Sequence, residues 1–321
     1  MATSIENGHE NGDESPSKPQ LTAKEKVKLF REAYSIWDLF DTSKPWVLVE
    51  NGSLCGFFDW VPAKFRVGPW NPFAILYLAV ILYLLALGAT RTQLHKPAAG
   101  WLSEFQPVEP YKVFTNSWYY NFFTYLWMAY VARNVWTQSP LGGSAWISYT
   151  LQSWTIITAR HGLCALAPFA PPFVTILAEV LRFPALITAS VTFFIWNFIL
   201  APVLLLGFIK ENEKRRQFFG YFTSFRLTQL HVFNIFFAVA NGAFVYPTRQ
   251  LHAGDFCIAG SMAIMYMIWY YFVLDRFGVH LYPIFSPRSL LVILSWNLLV
   301  ASYFGGFWFW KTVLAEEMST L

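Results

Sequence analysis

One imidazole set inside a long uncharged run is where this sequence first offers chemistry. Between Arg226 and Arg249 no formal charge occurs, and His231 lies within that stretch, LTQLHVFNIFFAVANGAFVYPTR over 227–249. Thr228, His231, Asn234 and Asn241 follow at spacings of three, three and seven, which puts all four on one face of a helix. The run is long enough for a helix to cross a bilayer. An ionisable group at that depth is costly, so it must face protein or a wet cavity and is a functional-site candidate by default. An imidazole within hydrogen-bond reach of a hydroxyl turns that hydroxyl into a nucleophile.

The hydroxyl that fits is Thr115, in VFTNSW. Thr115 stands three residues past Lys112, and His231 five past Arg226. At ~1.5 Å rise per residue, each lies about 5–8 Å inside its boundary. With six crossings both helices enter from the same face, so the two residues share a depth. A seventh crossing at 145–172 would put them in opposite leaflets. Thr115 as nucleophile and His231 as base is therefore the expected catalytic pair, with Asn116, Thr228, Asn234 and Tyr282 as supporting groups. Because Thr115 begins a helix, free backbone N–H groups and the positive helix end beside it suit an oxyanion. Each residue also has a purely structural reading: Thr115 as a helix cap, His231, Asn234 and Asn241 as interhelical glue, and Tyr282, in VHLYPIFSPR, as an interface anchor.

The elements that must position these residues are membrane helices. The chain of 321 residues is 55% hydrophobic and 20% aromatic but only 13% charged, against about 25% charged in a soluble domain. The expected fold is all-α, a polytopic membrane bundle of six transmembrane helices preceded by an amphipathic helix. Residues 1–20 read as a disordered tail, rich in Glu, Asn, Gly, Ser and Pro. Residues 21–72 form an amphipathic, interfacial segment, with Val27, Phe30, Tyr34, Trp37 and Phe40 at helical spacing and Lys24, Lys26, Lys28 and Arg31 on the polar side. The six-span domain covers 73–311, with spans at 73–89, 113–132, 184–209, 227–245, 256–274 and 290–310, and 312–321 is a short tail. Pro202 is expected to kink the third span. The stretch 145–172, with Gln152, Arg160, His161 and closing prolines, reads as a partly buried or interfacial helix followed by a loop, not a crossing. An even count leaves both termini on one side, expected to be cytoplasmic, in the endoplasmic reticulum or plasma membrane.

The net charge of +4 is dispersed and does not point to nucleic acid. Cys55, Cys164 and Cys257 form neither a disulfide framework nor a zinc motif. No metal motif, phosphate-cradling glycine loop or GxSxG elbow occurs, so no cofactor or metal is expected. A haem would need paired histidines on facing helices, and His95, His161, His252 and His280 all fall in loops or uncertain segments. The first forty residues lack the apolar core of a signal peptide. The expected partners are membrane lipid and a lipid ester substrate, and the oligomeric state is left open.

Several stretches together resemble the androgen-induced/androgen-dependent and rolling stone-like membrane family. They are TQLHVFN, YPTR fifteen residues after the histidine, GVHLYPIF after another span, VFTNSW, and LRFPALITASVTFFIW. The resemblance covers roughly residues 73–310, with the amino-terminal extension and residues 135–180 outside it. Androgen-induced members are atypical threonine hydrolases that cleave fatty acid esters of hydroxy fatty acids with one Thr and one His inside the membrane. By motif these correspond to Thr115 and His231. The rolling stone-like relatives, associated with cell fusion, imply the alternative, a non-enzymatic membrane organiser whose polar stripe locks helices together. A transporter is the weaker alternative, since no internal repeat is visible.

Overall fold

The computed structural model describes Glu25 and residues 69–92, 103–107, 109–138, 142–209, 211–243, 249–275 and 279–319. The expected disordered tail lies outside the described residues, as does the amphipathic segment apart from Glu25 and residues 69–72. Among the described residues there is no strand. In chain order the α-helices are α1 (Pro72–Thr92), α2 (Asn116–Gln138), α3 (Tyr149–Leu166), α4 (Pro172–Val180), α5 (Arg182–Phe194), α6 (Asn212–Phe222), α7 (Phe225–Thr228), α8 (Asn234–Ala243), α9 (Ala253–Trp269) and α10 (Leu291–Ser319).

Three of these continue in the wider π register. The chain after α5 runs through π-helical Ile195–Leu200, a short α-helical Ala201–Val203, and π-helical Leu204–Phe208. The two π segments flank Pro202, whose missing N–H interrupts the α-helical ladder there. The π turn Gln229–Phe233 joins α7 to α8, and Tyr270–Leu274 extends α9.

Among the described residues, four helical stretches are long and apolar enough to cross a membrane: Pro72–Thr90, Pro172–Gly207, Ala253–Leu274 and Leu291–Leu314. Their apolar residues face outward as well as inward, as expected of a bundle solvated by lipid. On α1, for example, Leu76 and Tyr83 are 54% and 66% exposed.

The helix expected within 145–172 is present and partly buried. Tyr149–Leu166 is one unbroken helix of 18 residues at the centre of the bundle. Trp154, Ile157, Arg160 and His161 on it are all buried. Its arginine is bound internally: Arg160 Nε donates to Asn241 Oδ1 and Nη1 to Ala178 O. The expected loop after it is a short connection, a 3-10 turn at Ala167–Phe169 and an extended Ala170, and α4 starts at Pro172, where φ is already set for a first turn. The third long helix thus begins well before Pro184.

Side-chain pairings fix the directions of the helices. Trp118 Nε1 donates to Ala165 O (2.9 Å) and Trp154 Nε1 to Met128 O (3.1 Å), so α2 and α3 are antiparallel. Arg160 at Ala178 and Ser153 Oγ at Thr188 Oγ1 (3.0 Å) make α3 antiparallel to α4–α5. Thr150 meets His231 and Arg160 meets Asn241, each pair ten residues further along, so α3 and the α7–α8 helix run parallel. Gly242 packs under Leu186 while Asn197 reaches the His231 carbonyl, which makes α5 and α8 antiparallel. Trp70 bonded to Asp275, with Gly88 near Cys257, sets α1 against α9, and Trp296 bonded to Tyr271, with Phe256 against Phe304, sets α9 against α10. Phe183 against Phe307, with Thr192 and Leu299 on one cavity, sets α5 against α10, so among the described residues seven long helical passages alternate in direction.

One end of this bundle is locked by charge. Glu179, fully buried, accepts from Tyr111 Oη (2.6 Å), Arg182 Nη2 (2.9 Å) and Arg249 Nε (3.0 Å), and Arg249 also clasps Asp255 (2.6 and 2.9 Å). Four segments are tied together there. Outside the spans, Tyr111 has its phenol pushed up, first by burial and then by the neighbouring Cys164 and Glu179.

Candidate functional site

His231 sits in the π turn Gln229–Phe233, which adds one residue to a helical turn and re-aims the side chains on it. The ring is buried, 6% exposed. Its Nδ1 lies 3.1 Å from the Leu227 carbonyl and its Nε2 lies 3.2 Å from Thr150 Oγ1. A carbonyl oxygen only accepts, so Nδ1 carries the proton, leaving Nε2 as a lone-pair acceptor aimed at a hydroxyl. The Thr150 O–H donates to it. Leu227 thus does for this ring what a carboxylate does in a catalytic triad: it fixes tautomer and orientation. Trp196 lies flat on the other side, with ring centroids 4.1 Å apart and planes 20° from parallel. Asn197 Nδ2 holds the backbone by donating to the His231 carbonyl (2.9 Å).

Thr150 stands in the first turn of α3, capped by Ser148, whose Oγ accepts from Leu151 N (3.3 Å). The two N–H groups before that one are met by phenols: Tyr149 N donates to Tyr266 Oη (3.1 Å) and Thr150 N to Tyr282 Oη (3.4 Å). Tyr282 Oη also lies 3.4 Å from Thr150 Oγ1. Burial raises the Tyr282 phenol above its ordinary range, so it is a neutral donor at physiological pH. Tyr270 anchors the backbone of Tyr282 from the π extension of α9, its Oη donating to Tyr282 O (2.9 Å). Thr150, Tyr282, Thr192 and Trp196 line one cavity of about 50 Å³ whose other walls are mostly apolar. That is room for on the order of three water molecules, or for a carbonyl and its first neighbours. His231 stands behind Thr150 and Trp196 and does not itself line the space.

The structure does not join Thr115 to His231. Thr115 Oγ1 accepts from Trp118 N (3.2 Å) and donates to Lys112 O (3.1 Å), the bonding of a helix N-cap. It belongs to the end of the bundle where Trp118 touches Ala165, whereas His231 meets the opposite end of α3 at Thr150. Fifteen residues of helix separate Thr150 from Ala165, about 22 Å at ~1.5 Å per residue. The physical reason is the additional helical passage at α3, which reverses the direction of everything after it and puts Thr115 and His231 at opposite ends.

Of the other expected residues, Asn116 is exposed beside Thr115, at that far end. Thr228 closes α7 and is half-buried. Asn234 is fully buried, and neither side-chain polar atom has a hydrogen-bond partner among the described residues. Asn241 binds Arg160 and Asn121 across three helices, as interhelical glue does. Tyr282, alone among the supporting residues, touches the Thr–His pair.

Thr150 was missed because the helix that carries it, read as partly buried or interfacial, was not expected to reach His231. The signal was present in Leu151, Trp154, Ile157 and Cys164, spaced by three, three and seven like the residues around His231. His161 is helical and buried, but it lies eleven residues beyond Thr150 on α3, about 16 Å along the axis from the level of His231. The two histidines are therefore not facing ligands. Among the described residues no group of three His, Cys, Asp or Glu side chains is placed to hold a metal ion. Compared with known proteins, the chain matches no family model, no curated protein and no solved structure.

Proposed function

We propose that this protein is an intramembrane lipid ester hydrolase in which Thr150 is the nucleophile and His231 its base. The observation that carries the reading is the Leu227–His231–Thr150 chain, in which Nδ1–H donates to a backbone carbonyl and leaves Nε2 facing the hydroxyl. Thr150 Oγ attacks the ester carbonyl carbon as His231 Nε2 accepts its proton, and the carbonyl π pair moves onto oxygen. The imidazolium then gives that proton to the departing alkoxide, leaving a threonyl ester. Water attacks this ester by the same route, its proton passing through Nε2 to Thr150 Oγ, and the fatty acid leaves. The indole stacked on His231 favours the ring while it is cationic.

A long-chain ester that partitions into lipid suits a nucleophile enclosed among apolar helices. The resemblance to the androgen-induced family names fatty acid esters of hydroxy fatty acids as the first substrates to try. Thr150 lies outside the stretches that carry that resemblance, so its role as nucleophile rests on its contact with His231 alone. All seven alternating passages cross the bilayer in this reading, since α2 and α3, at 23 and 18 residues, span about 34 and 27 Å. Arg215, Arg216 and Arg226, at the Thr150 end of the bundle, support a cytoplasmic orientation of that end by the positive-inside rule.

The test is hydrolysis of such esters by the purified protein and its Thr150→Val and His231→Gln variants. Wild-type rates in either variant sink the reading. In that case the Thr150–His231–Tyr282 contacts remain as packing, which is the non-enzymatic membrane organiser.

A further inference from the structure

Two hydrogen-bonding groups on side chains that line the Thr150 cavity lack a protein partner among the described residues: Thr192 Oγ1 and Trp196 Nε1. Both depart from what their neighbours do. Thr155, Thr158, Thr188 and Ser190 each return the hydroxyl proton to the carbonyl four residues back, at 2.7–2.8 Å. Thr192, 4% exposed, makes no such bond. The indoles of Trp70, Trp118, Trp154, Trp296 and Trp310 each donate to an oxygen. Trp196 does not, and its plane is held between His231 and Phe222, which stacks at 6.1 Å. Buried donors left unmade are destabilising and call for an explanation. Positions 192 and 196 are one turn apart, so both groups project from the same side of one helix.

We infer that Thr192 Oγ–H and Trp196 Nε1–H together bind the carbonyl oxygen of the substrate ester. This rests on the hydrolase reading above. When Thr150 attacks, the π pair that moves onto that oxygen is received by two donors already in place. No solvent has to reorganise around the new charge, which is how a preformed oxyanion site accelerates acyl transfer. When the intermediate collapses the pair returns, and the bond to the leaving alcohol breaks.

The same cavity sets the substrate class. No charged side chain lines it, and Val191, Ile195, Leu200, Met267 and Leu299 supply apolar wall. A carboxylate or phosphate within a few bonds of the scissile carbonyl would be buried there without a partner. The ligand is an ester whose acyl carbonyl is flanked by plain methylenes, any charged group lying far along the chain.

The experiment measures kcat, KM and thermal midpoint for wild type, Thr192→Val, Trp196→Phe and Thr150→Val on a fluorogenic, uncharged long-chain ester in detergent micelles. Thr192→Val is expected to lower kcat on the order of 100-fold with KM nearly unchanged. Its midpoint should hold or rise, because valine fills the same space without an unpaired hydroxyl. Trp196→Phe should keep the stack on His231 and lose turnover similarly. Wild-type kcat in both variants, while Thr150→Val is inactive, overturns the carbonyl-site assignment and leaves the hydrolase reading standing. A lowered midpoint in Thr192→Val that accounts for its lost activity overturns it in favour of a packing role. Full activity in Thr150→Val removes both.

Discussion

The Leu227 carbonyl oxygen lies 3.1 Å from Nδ1 of His231, one turn away on the same helix. A backbone oxygen cannot titrate and cannot swing away, so the imidazole keeps a single tautomer for as long as the turn holds. Nε2 is therefore committed to Thr150. Substituting either partner should lower turnover of a long-chain ester by about 10³-fold, within the range expected for loss of a general base. Thr150→Ser should retain activity, since it keeps an O–H at the same place. Rates measured with purified, folded variants decide this.

Thr115 should behave as a cap. Thr115→Ala is expected to destabilise the protein by about 1 kcal/mol, as loss of a threonine N-cap does, through the freed Trp118 N–H. Ester turnover per folded molecule should not change. Thermal unfolding read beside activity separates the two, and a loss of turnover without a loss of stability would contradict the assignment.

The ion cluster at the far end should be unforgiving. Glu179 is met by Arg182 and Arg249 with almost no solvent to screen any of them. Removing the carboxylate leaves buried guanidinium groups facing one another, so Glu179→Ala should cost about 3–5 kcal/mol. Because the cluster lies at the opposite end from Thr150, the variant that still folds should keep the KM of wild type. Denaturant titration in mixed micelles measures the first, and steady-state kinetics the second.

The approach of α8 to α5 depends on a missing side chain. A Cβ added at Gly242 would stand 2.7 Å from Leu186 Cδ2 and 2.8 Å from its Cγ, with Leu186 fully buried. Gly242→Ala should therefore destabilise by about 1–3 kcal/mol, the usual range for overpacking. A second substitution, Leu186→Ala, should relieve part of that loss. Independent, additive effects in the double variant would contradict the close packing.

The proposed seven crossings make a topological prediction that six do not. In a cysteine-free background, Gly143→Cys, before α3, and Ala170→Cys, after it, should be modified by a membrane-impermeant thiol reagent from opposite sides of sealed vesicles. Modification of both from one side would return α3 to an interfacial position.

Much of the architecture could be read from composition and period. Long uncharged runs have few options other than helices in lipid, so the apolar stretches around Leu78, Ile187, Ile264 and Leu299 identified themselves. His231 stood out for the same reason, an imidazole with no charge near it in sequence. What the sequence did not reveal was that α3 runs through the bundle, because Arg160 and His161 look like solvent residues until Asn241 and the Ala178 carbonyl are seen to bind Arg160. That one helix reverses the sense of all that follows, and so exchanges Thr115 for Thr150 as the neighbour of His231. Periodicity reports which face of a helix is buried, but not which helix it is buried against. The partner of a buried group is decided across 81 residues of chain, by packing alone.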